Sequence, residues 1–281
     1  MSRDLMHSDE VKQIVRDAYR GIDRSTEAVA EKLYSPDELD ALPRSAIERS
    51  LGVANHLRFA AIHPGETILD IGCGGGIDTV LAARRTGPRG RVIALDFLPE
   101  MLERTAAAAR EAGLKNVEPL EAEMEAIALP DSSVDLIISN GVINLSPRKA
   151  RVMAECARVL RPGGRLCISD LTVDQEVLPP DIATQPAAWA GCVAGALKEG
   201  DLVTKLERAG FDDVEVLRRE PLSVDDCALY PLFTHEVIEL MRRLIPSERQ
   251  REVAISVVVR ATGRAPQLLR EEPAIAAALR V

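Results

Sequence analysis

The chain has 281 residues, 46% of them hydrophobic, and a formal net charge of −9. That is ample material for a core. An acidic surface repels phosphate backbones, and 3% aromatic content offers few platforms for bases, which argues against a nucleic-acid partner. No apolar run approaches the ~18 residues of a bilayer span, so no membrane partner is expected. The opening MSRDLMHSDEVK has no signal-peptide core. Five widely spaced cysteines suit reduced thiols in a cytoplasm, and no CxxC pair or histidine cluster proposes a metal site.

In chain order, SDEVKQIVRDAYR (8–20) has the spacing of an amphipathic helix. Tyr34 to Ala46 carries Ser-Pro and Leu-Pro breaks and is predicted as a loop with short turns. From Glu66 the rhythm changes. TILDI (67–71), RVIALD (91–96), VEPLE (117–121), VDLIIS (134–139) and RLCISD (165–170) are apolar runs of strand length. Helical patterns lie between them at 77–85, 100–112 and 148–160. This alternation predicts a parallel sheet with helices on both faces. A further helix at 200–210 and strands at 214–218 and 255–261 follow. The tail from Pro266 to Val281 has helical stretches.

Four glycines, Gly72, Gly74, Gly75 and Gly76, follow the first strand and open its helix, with Cys73 among them. Glycine there permits a tight turn and lets a ligand approach the backbone. The second strand ends in Asp96, a carboxylate suited to both hydroxyls of a ribose. A dinucleotide fingerprint needs a third glycine where Ile77 stands. Asp70, just before the turn, would repel a pyrophosphate but suits a cationic ammonium. S-adenosylmethionine has that ammonium, a ribose and no phosphate. A packed turn in an unrelated α/β sheet would also explain glycines, but not acid, glycines and a second acid in this order. Glu123 and Met124 follow the third strand, where the adenine belongs, although Glu123 alone would also suit a solvated loop. Asn140 ends the fourth strand facing the methionine portion, where asparagine is otherwise an ordinary turn former.

The stretches LDIGCGGGIDTVLAARR, LDFLPEMLERT, LPDSSVDLIISNGVINLSP, ARVLRPGGRLCISDL and WAGCVAGAL resemble the class I S-adenosylmethionine-dependent methyltransferases, and within them the arsenite methyltransferase branch. The similarity covers roughly Tyr34 to Val216. It implies a Rossmann-like α/β fold: a seven-stranded, mostly parallel sheet with the last strand antiparallel and helices on both faces. The implied layout is a single methyltransferase domain. An N-terminal cap spans 1–64, a cofactor-binding core 65–219 with a lid at about 175–197, and a C-terminal segment 220–281. The implied cofactor set is Asp70, Gly72, Cys73, Gly74, Asp96, Phe97, Met101, Glu123, Met124 and Asn140. The implied substrate set is Val53, Gly141, Asn144, Trp189 and Cys192.

That branch holds trivalent arsenic through three cysteine thiolates. Here Val53 and Gly141 stand at two of those positions, and Cys192 keeps the third. A thiophilic centre needs several thiolates, so the cofactor half reads as intact and the arsenic half as dismantled. Cys73 and Cys227 match no ligand position; Cys156 and Cys167 read as core residues. Methyl transfer needs a general base only for some acceptors. His56 and His63, before the first strand, and His235, in an aromatic-bearing stretch, are the candidates. The expected activity is in-line methyl transfer to a small organic acceptor. Degenerate arsenite or organoarsenical methylation is one alternative, and cofactor binding without catalysis is the other.

Overall fold

The computed structural model describes residues 8–174 and 178–264. The expectations for the tail and for lid positions 175–177 lie outside those residues. Seven strands form one sheet: β1 (Thr67–Ile71), β2 (Arg91–Asp96), β3 (Val117–Glu121), β4 (Val134–Asn140), β5 (Leu160–Thr172), β6 (Phe211–Leu222) and β7 (Ala254–Gly263). Their order is β3-β2-β1-β4-β5-β7-β6. β1 to β5 pair in parallel, and β7 runs antiparallel to both β5 and β6. The order reverses between β1 and β4, so a crevice opens beyond the carboxyl ends of these strands.

The inner strands are buried on both faces, which explains their continuous apolar runs. Ile68, Leu136 and Ile138 face the helix Ile77–Thr86 through Val80 and Leu81. Their neighbours Leu69, Ile71 and Ile137 face the helix Lys149–Val159 through Val152, Cys156 and Val159. Cys156 and Cys167 are core residues, and burial pushes both thiols up to about 12.

A third cluster covers the crevice. It joins Val15 from the N-terminal helix Ser8–Arg20, Ile182, Ala188 and Cys192 from the segment after β5, Tyr230 and Phe233, and Met241 from the helix His235–Leu244.

Three local readings change. The segment predicted as a loop at 34–46 contains the helix Pro36–Asp40 and a turn of helix at Arg44–Ile47. Ser-Pro here starts a helix: Ser35 forms a reciprocal capping box with Glu38, and Pro36 stands at the first turn. β5 begins at Leu160, with a register shift between Val134 and Leu136 and Gly163 at φ +74. β6 is longer than 214–218: it pairs with β7 from Phe211 to Leu222, and at the sheet edge its charged residues such as Glu215 and Arg219 face water, so no apolar run marks its full length.

Candidate active site

The main cleft lies at the carboxyl ends of β1, β2 and β4, with about 1250 Å³ of empty space including the part open to solvent. The ten expected cofactor residues come together here by position: Asp70, Gly72, Cys73, Gly74, Asp96, Phe97, Met101, Glu123 and Met124 line it. Asn140 lines it as well but differs in kind. Its Oδ1 accepts from the amides of Val53 (2.8 Å) and Ala54 (3.3 Å) and from Ser169 Oγ (2.8 Å). Its Nδ2 donates to Ala54 O (2.8 Å) and Asp78 Oδ2 (2.9 Å). An amide has two donors and two acceptor lone pairs, so this one is fully committed to the protein. Through this amide Asn140 clamps residues 53–54 at the edge of the cleft.

The glycine turn divides its work. A Cβ on Gly72 would meet Val142 Cγ2 at 2.4 Å, so packing behind the turn requires that glycine. A Cβ on Gly74 would meet nothing closer than Gly72 O at 4.0 Å, and its φ is +53. Gly74 therefore presents bare backbone to the cleft, in a conformation that glycine adopts without strain. Asp96 closes this cradle by accepting the amides of Gly74 at 3.1 Å and Leu98 at 3.0 Å, one on each carboxylate oxygen. Each oxygen keeps a lone pair for a hydroxyl donor. The cradle and its free acceptors fit the ribose of S-adenosylmethionine.

Burial governs the acids. Asp70 is pushed up to about 8, first by desolvation and then by the charge of Asp78, despite the 2.5 Å hydrogen bond donated by Thr79 Oγ1. Asp96 is pushed up to about 6 by desolvation, partly offset by the backbone amides it accepts. A cationic ligand group would favour ionised Asp70. Tyr34 OH donates to Asp78 at 2.7 Å, tying the N-terminal segment to the cleft floor. Glu123 pairs with Lys12 at 2.6 Å, and Arg16 lies 5.7 Å from the Phe97 ring centre.

A second, smaller chamber continues from the cleft, and Tyr19, Leu51 and Gly141 border both. Val53, Gly141 and Cys192 meet in its wall, with Leu171, Leu222, Tyr230 and Phe233. Cys192 Sγ donates to Gly141 O at 3.0 Å, and burial followed by Asp170 keeps this thiol well above its usual value, hence neutral. Cys192 also holds a left-handed backbone, φ +63. Asn144 and Trp189 line neither cavity. Asn144 stands behind the wall, its amide nitrogens donating to Asp170 (2.9 and 2.7 Å). Trp189 Nε1 donates to Leu145 O at 3.4 Å, and Lys149 lies 5.7 Å from its ring centre. Both residues support the wall.

No histidine among the described residues lines either cavity. His56 is fully buried, with neither ring nitrogen hydrogen-bonded. His63 is exposed, and His235 is exposed 3.2 Å from Glu239. The three histidines expected as base candidates thus stand apart from the site. The sequence reading missed Lys12, Val15 and Tyr19, which reach the cleft from one face of the N-terminal helix, and Arg49 and Arg104. The i, i+3, i+7 spacing of Lys12, Val15 and Tyr19 was the available signal.

A family model described as Methyltransferase domain matches residues 62–210. An arsenite methyltransferase of Halobacterium salinarum is 36% identical over 236 residues, 75% of this chain and 60% of that protein. Nocamycin O-methyltransferase of Saccharothrix syringae is 39% identical over 140 residues, 50% of this chain and 46% of that protein. The chain thus spans about half the length of these curated relatives. Among solved structures, an arsenic(III) S-adenosylmethionine methyltransferase from Chlamydomonas reinhardtii superposes with a TM-score of 0.60 at 28% identity, covering 90% of this chain and 74% of that one.

Proposed function

Because the chain belongs to the class I S-adenosylmethionine-dependent methyltransferases, on their arsenite-methyltransferase-like branch, we propose that it methylates a small apolar organic acceptor seated in the second chamber. S-adenosylmethionine supplies a sulfonium methyl already activated for displacement. The carrying observation is the chamber wall. Val53 and Gly141 meet where the branch places thiols, and the remaining Cys192 is a neutral, buried thiol already bonded to Gly141 O. One neutral thiol gives neither the charge nor the geometry for a metalloid.

The residues of the site divide the task. Asp96 accepts from the ribose, Asp70 meets the ammonium, and Phe97, Met101 and Met124 give the ring an apolar slot. The chamber excludes water with Leu51, Val53, Leu171, Leu222 and Phe233. No carboxylate or imidazole among the described residues lines it, so the acceptor atom that suits it is nucleophilic as it arrives. The segment 178–197 acts as the cover over this acceptor, supported by the packing of Gly195 on Asn144, where a Cβ would stand 2.4 Å from the carbonyl oxygen. No helix among the described residues is long and apolar enough to cross a membrane. The five free, buried cysteines support a reducing cytoplasm, and the acidic charge supports a small molecule over nucleic acid.

The test is S-adenosylhomocysteine release by the full chain, with a panel of apolar amines, thiols and phenols set beside arsenite plus a thiol reductant. Faster turnover on an organic acceptor is expected. Comparable or faster turnover on arsenite supports the metalloid reading instead. Cofactor binding with no turnover on any acceptor would favour a non-catalytic role.

A further inference from the structure

The second chamber is almost wholly apolar. It holds about 310 Å³ of empty space including the part open to solvent, the low end for a small-molecule site. Among the described residues, the polar side chains in its wall are Tyr19, Cys192 and Tyr230. The Cys192 thiol donates to Gly141 O at 3.0 Å, and the Tyr230 hydroxyl donates to Gly52 O at 2.9 Å. Both hydrogens are therefore committed to the backbone. The Tyr19 hydroxyl makes no hydrogen bond among the described residues. A phenol hydroxyl in such surroundings normally finds a partner, because leaving it unpaired is costly.

Tyr19 also stands at a junction, since it borders both the main cleft and the chamber. The groups whose charges act on its hydroxyl come from both sides: Cys192 and Tyr230 from the chamber wall, Asp96 from the cradle at the glycine turn, and Asp170 from behind the wall. Its ring packs against the clusters that contain Cys192 and Phe233, and Ala190 and Leu232. Arg20, the next residue, pairs with Glu100 at 2.6 Å and ties this end of the helix to the rim of the cleft. Burial first, and then Cys192 and the acids, hold the phenol well above its usual value, so it is neutral and is no general base.

We propose that Tyr19 anchors the acceptor: its hydroxyl oxygen accepts a hydrogen bond from the N–H, S–H or O–H of the atom to be methylated and holds that atom at the junction of chamber and cleft. The proposal rests on reading the chamber as the acceptor site. It narrows the acceptor to a small apolar molecule with one hydrogen-bearing heteroatom, because the wall offers one uncommitted polar side chain among the described residues. A hydrogen bond in this direction leaves the lone pair of the acceptor atom free to face the methyl group. That pair forms the bond to the methyl carbon while the carbon–sulfur bond breaks, and the electrons of the broken bond stay on sulfur as the neutral thioether. The methylated atom then gives up its proton to solvent as the product leaves.

Calorimetry on the full chain saturated with S-adenosylhomocysteine tests it with two probes, phenol and toluene, which share a shape and differ in a hydroxyl for a methyl. Tyr19→Phe is expected to weaken phenol about 3- to 10-fold, the range of one neutral hydrogen bond, and to leave toluene and S-adenosylhomocysteine within about twofold. On the organic acceptor that the wild-type chain turns over fastest, Tyr19→Phe should lower kcat about 10- to 100-fold, with KM rising no more than the phenol affinity falls, the mark of lost alignment. Unchanged phenol affinity in Tyr19→Phe overturns the anchor. So do equal losses for phenol and toluene, or a loss of S-adenosylhomocysteine affinity, in a variant that keeps the wild-type thermal transition; the hydroxyl would then serve packing or the cofactor. If the wild-type chain binds neither phenol nor toluene, the acceptor-site reading itself fails, an outcome distinct from a lost preference between the two.

Discussion

Val53 Cγ1 lies 3.2 Å from the place where a Cβ on Gly141 would stand, and Gly141 has φ +71. The isopropyl group thus occupies the space that a side chain at position 141 would need. The two replacements are coupled: with Val53 present, glycine is the residue that fits at 141.

The coupling sets the order in which a thiol site could be rebuilt. Val53→Cys alone should place a second thiol near Cys192 and tighten binding of a trivalent arsenical by about tenfold or more. Gly141→Cys alone should destabilise the fold by about 1–3 kcal/mol, from left-handed strain and contact with Val53. Urea titration reads the stability, and quenching of Trp189 fluorescence reads the arsenical. No gain in affinity from Val53→Cys would show that the wall positions are too far apart to share a ligand.

Asn140→Ala should cost about 2–4 kcal/mol, because it strands the Val53 amide and one oxygen of Asp78 together. Asn140→Asp should also be poorly tolerated, since it puts a third carboxylate beside Asp70 and Asp78. Denaturant midpoints check both. A stable Asn140→Ala protein that has lost only cofactor affinity would mean that the amide serves the ligand after all.

The sheet was legible because strands buried on both faces leave continuous apolar runs, as in TILDI and VDLIIS. The acid–glycine–acid order was legible because Asp70, Gly74 and Asp96 act within one turn and its neighbouring strand. Asn140 was not: its bonds to Val53, Ala54, Ser169 and Asp78 link residues far apart in sequence, and asparagine at a strand end suits a turn equally well. Arg49 and Arg104 were missed for the same reason. Their place at the cleft depends on how the N-terminal segment and a helix flank it, which no local pattern encodes. His56 and His235 attracted attention by residue type and neighbouring sequence, and packing placed one inside the core and the other in water.

Cofactor binding should depend on pH through Asp70 and Asp96. With Asp70 at about 8 and Asp96 at about 6 in the free protein, affinity for S-adenosylhomocysteine should rise with pH across that interval. For folding the sign is opposite. Both folded values are raised above the usual range near ~4. Their stabilising effect is therefore full below ~4 and is lost as pH rises through about 6 and about 8. Asp70→Asn should flatten the upper part of this dependence and raise the melting temperature at pH 8, while weakening the cofactor. A variant with the wild-type pH profile would assign the dependence elsewhere.

His56 works in the other direction. Burial lowers its folded value, so its contribution is full above the usual ~6.5 and is lost as pH falls through the folded value. Because neither ring nitrogen finds a partner, His56→Leu should stabilise by about 1–2 kcal/mol near neutral pH, and by more at pH 5. Paired urea titrations at the two pH values check it. Destabilisation by His56→Leu at both would reveal a bond to the ring made in solution.

The most direct test of the division between a whole cofactor cleft and a dismantled metalloid site is the turnover of Cys192→Ser, read as S-adenosylhomocysteine release. If Cys192 is only wall, the variant should keep its rate on the best organic acceptor within about threefold, a typical cost of a small change in pocket packing. Wild-type turnover on arsenite that matches the organic rate and disappears in Cys192→Ser would contradict it, since a single thiol would then be holding the substrate.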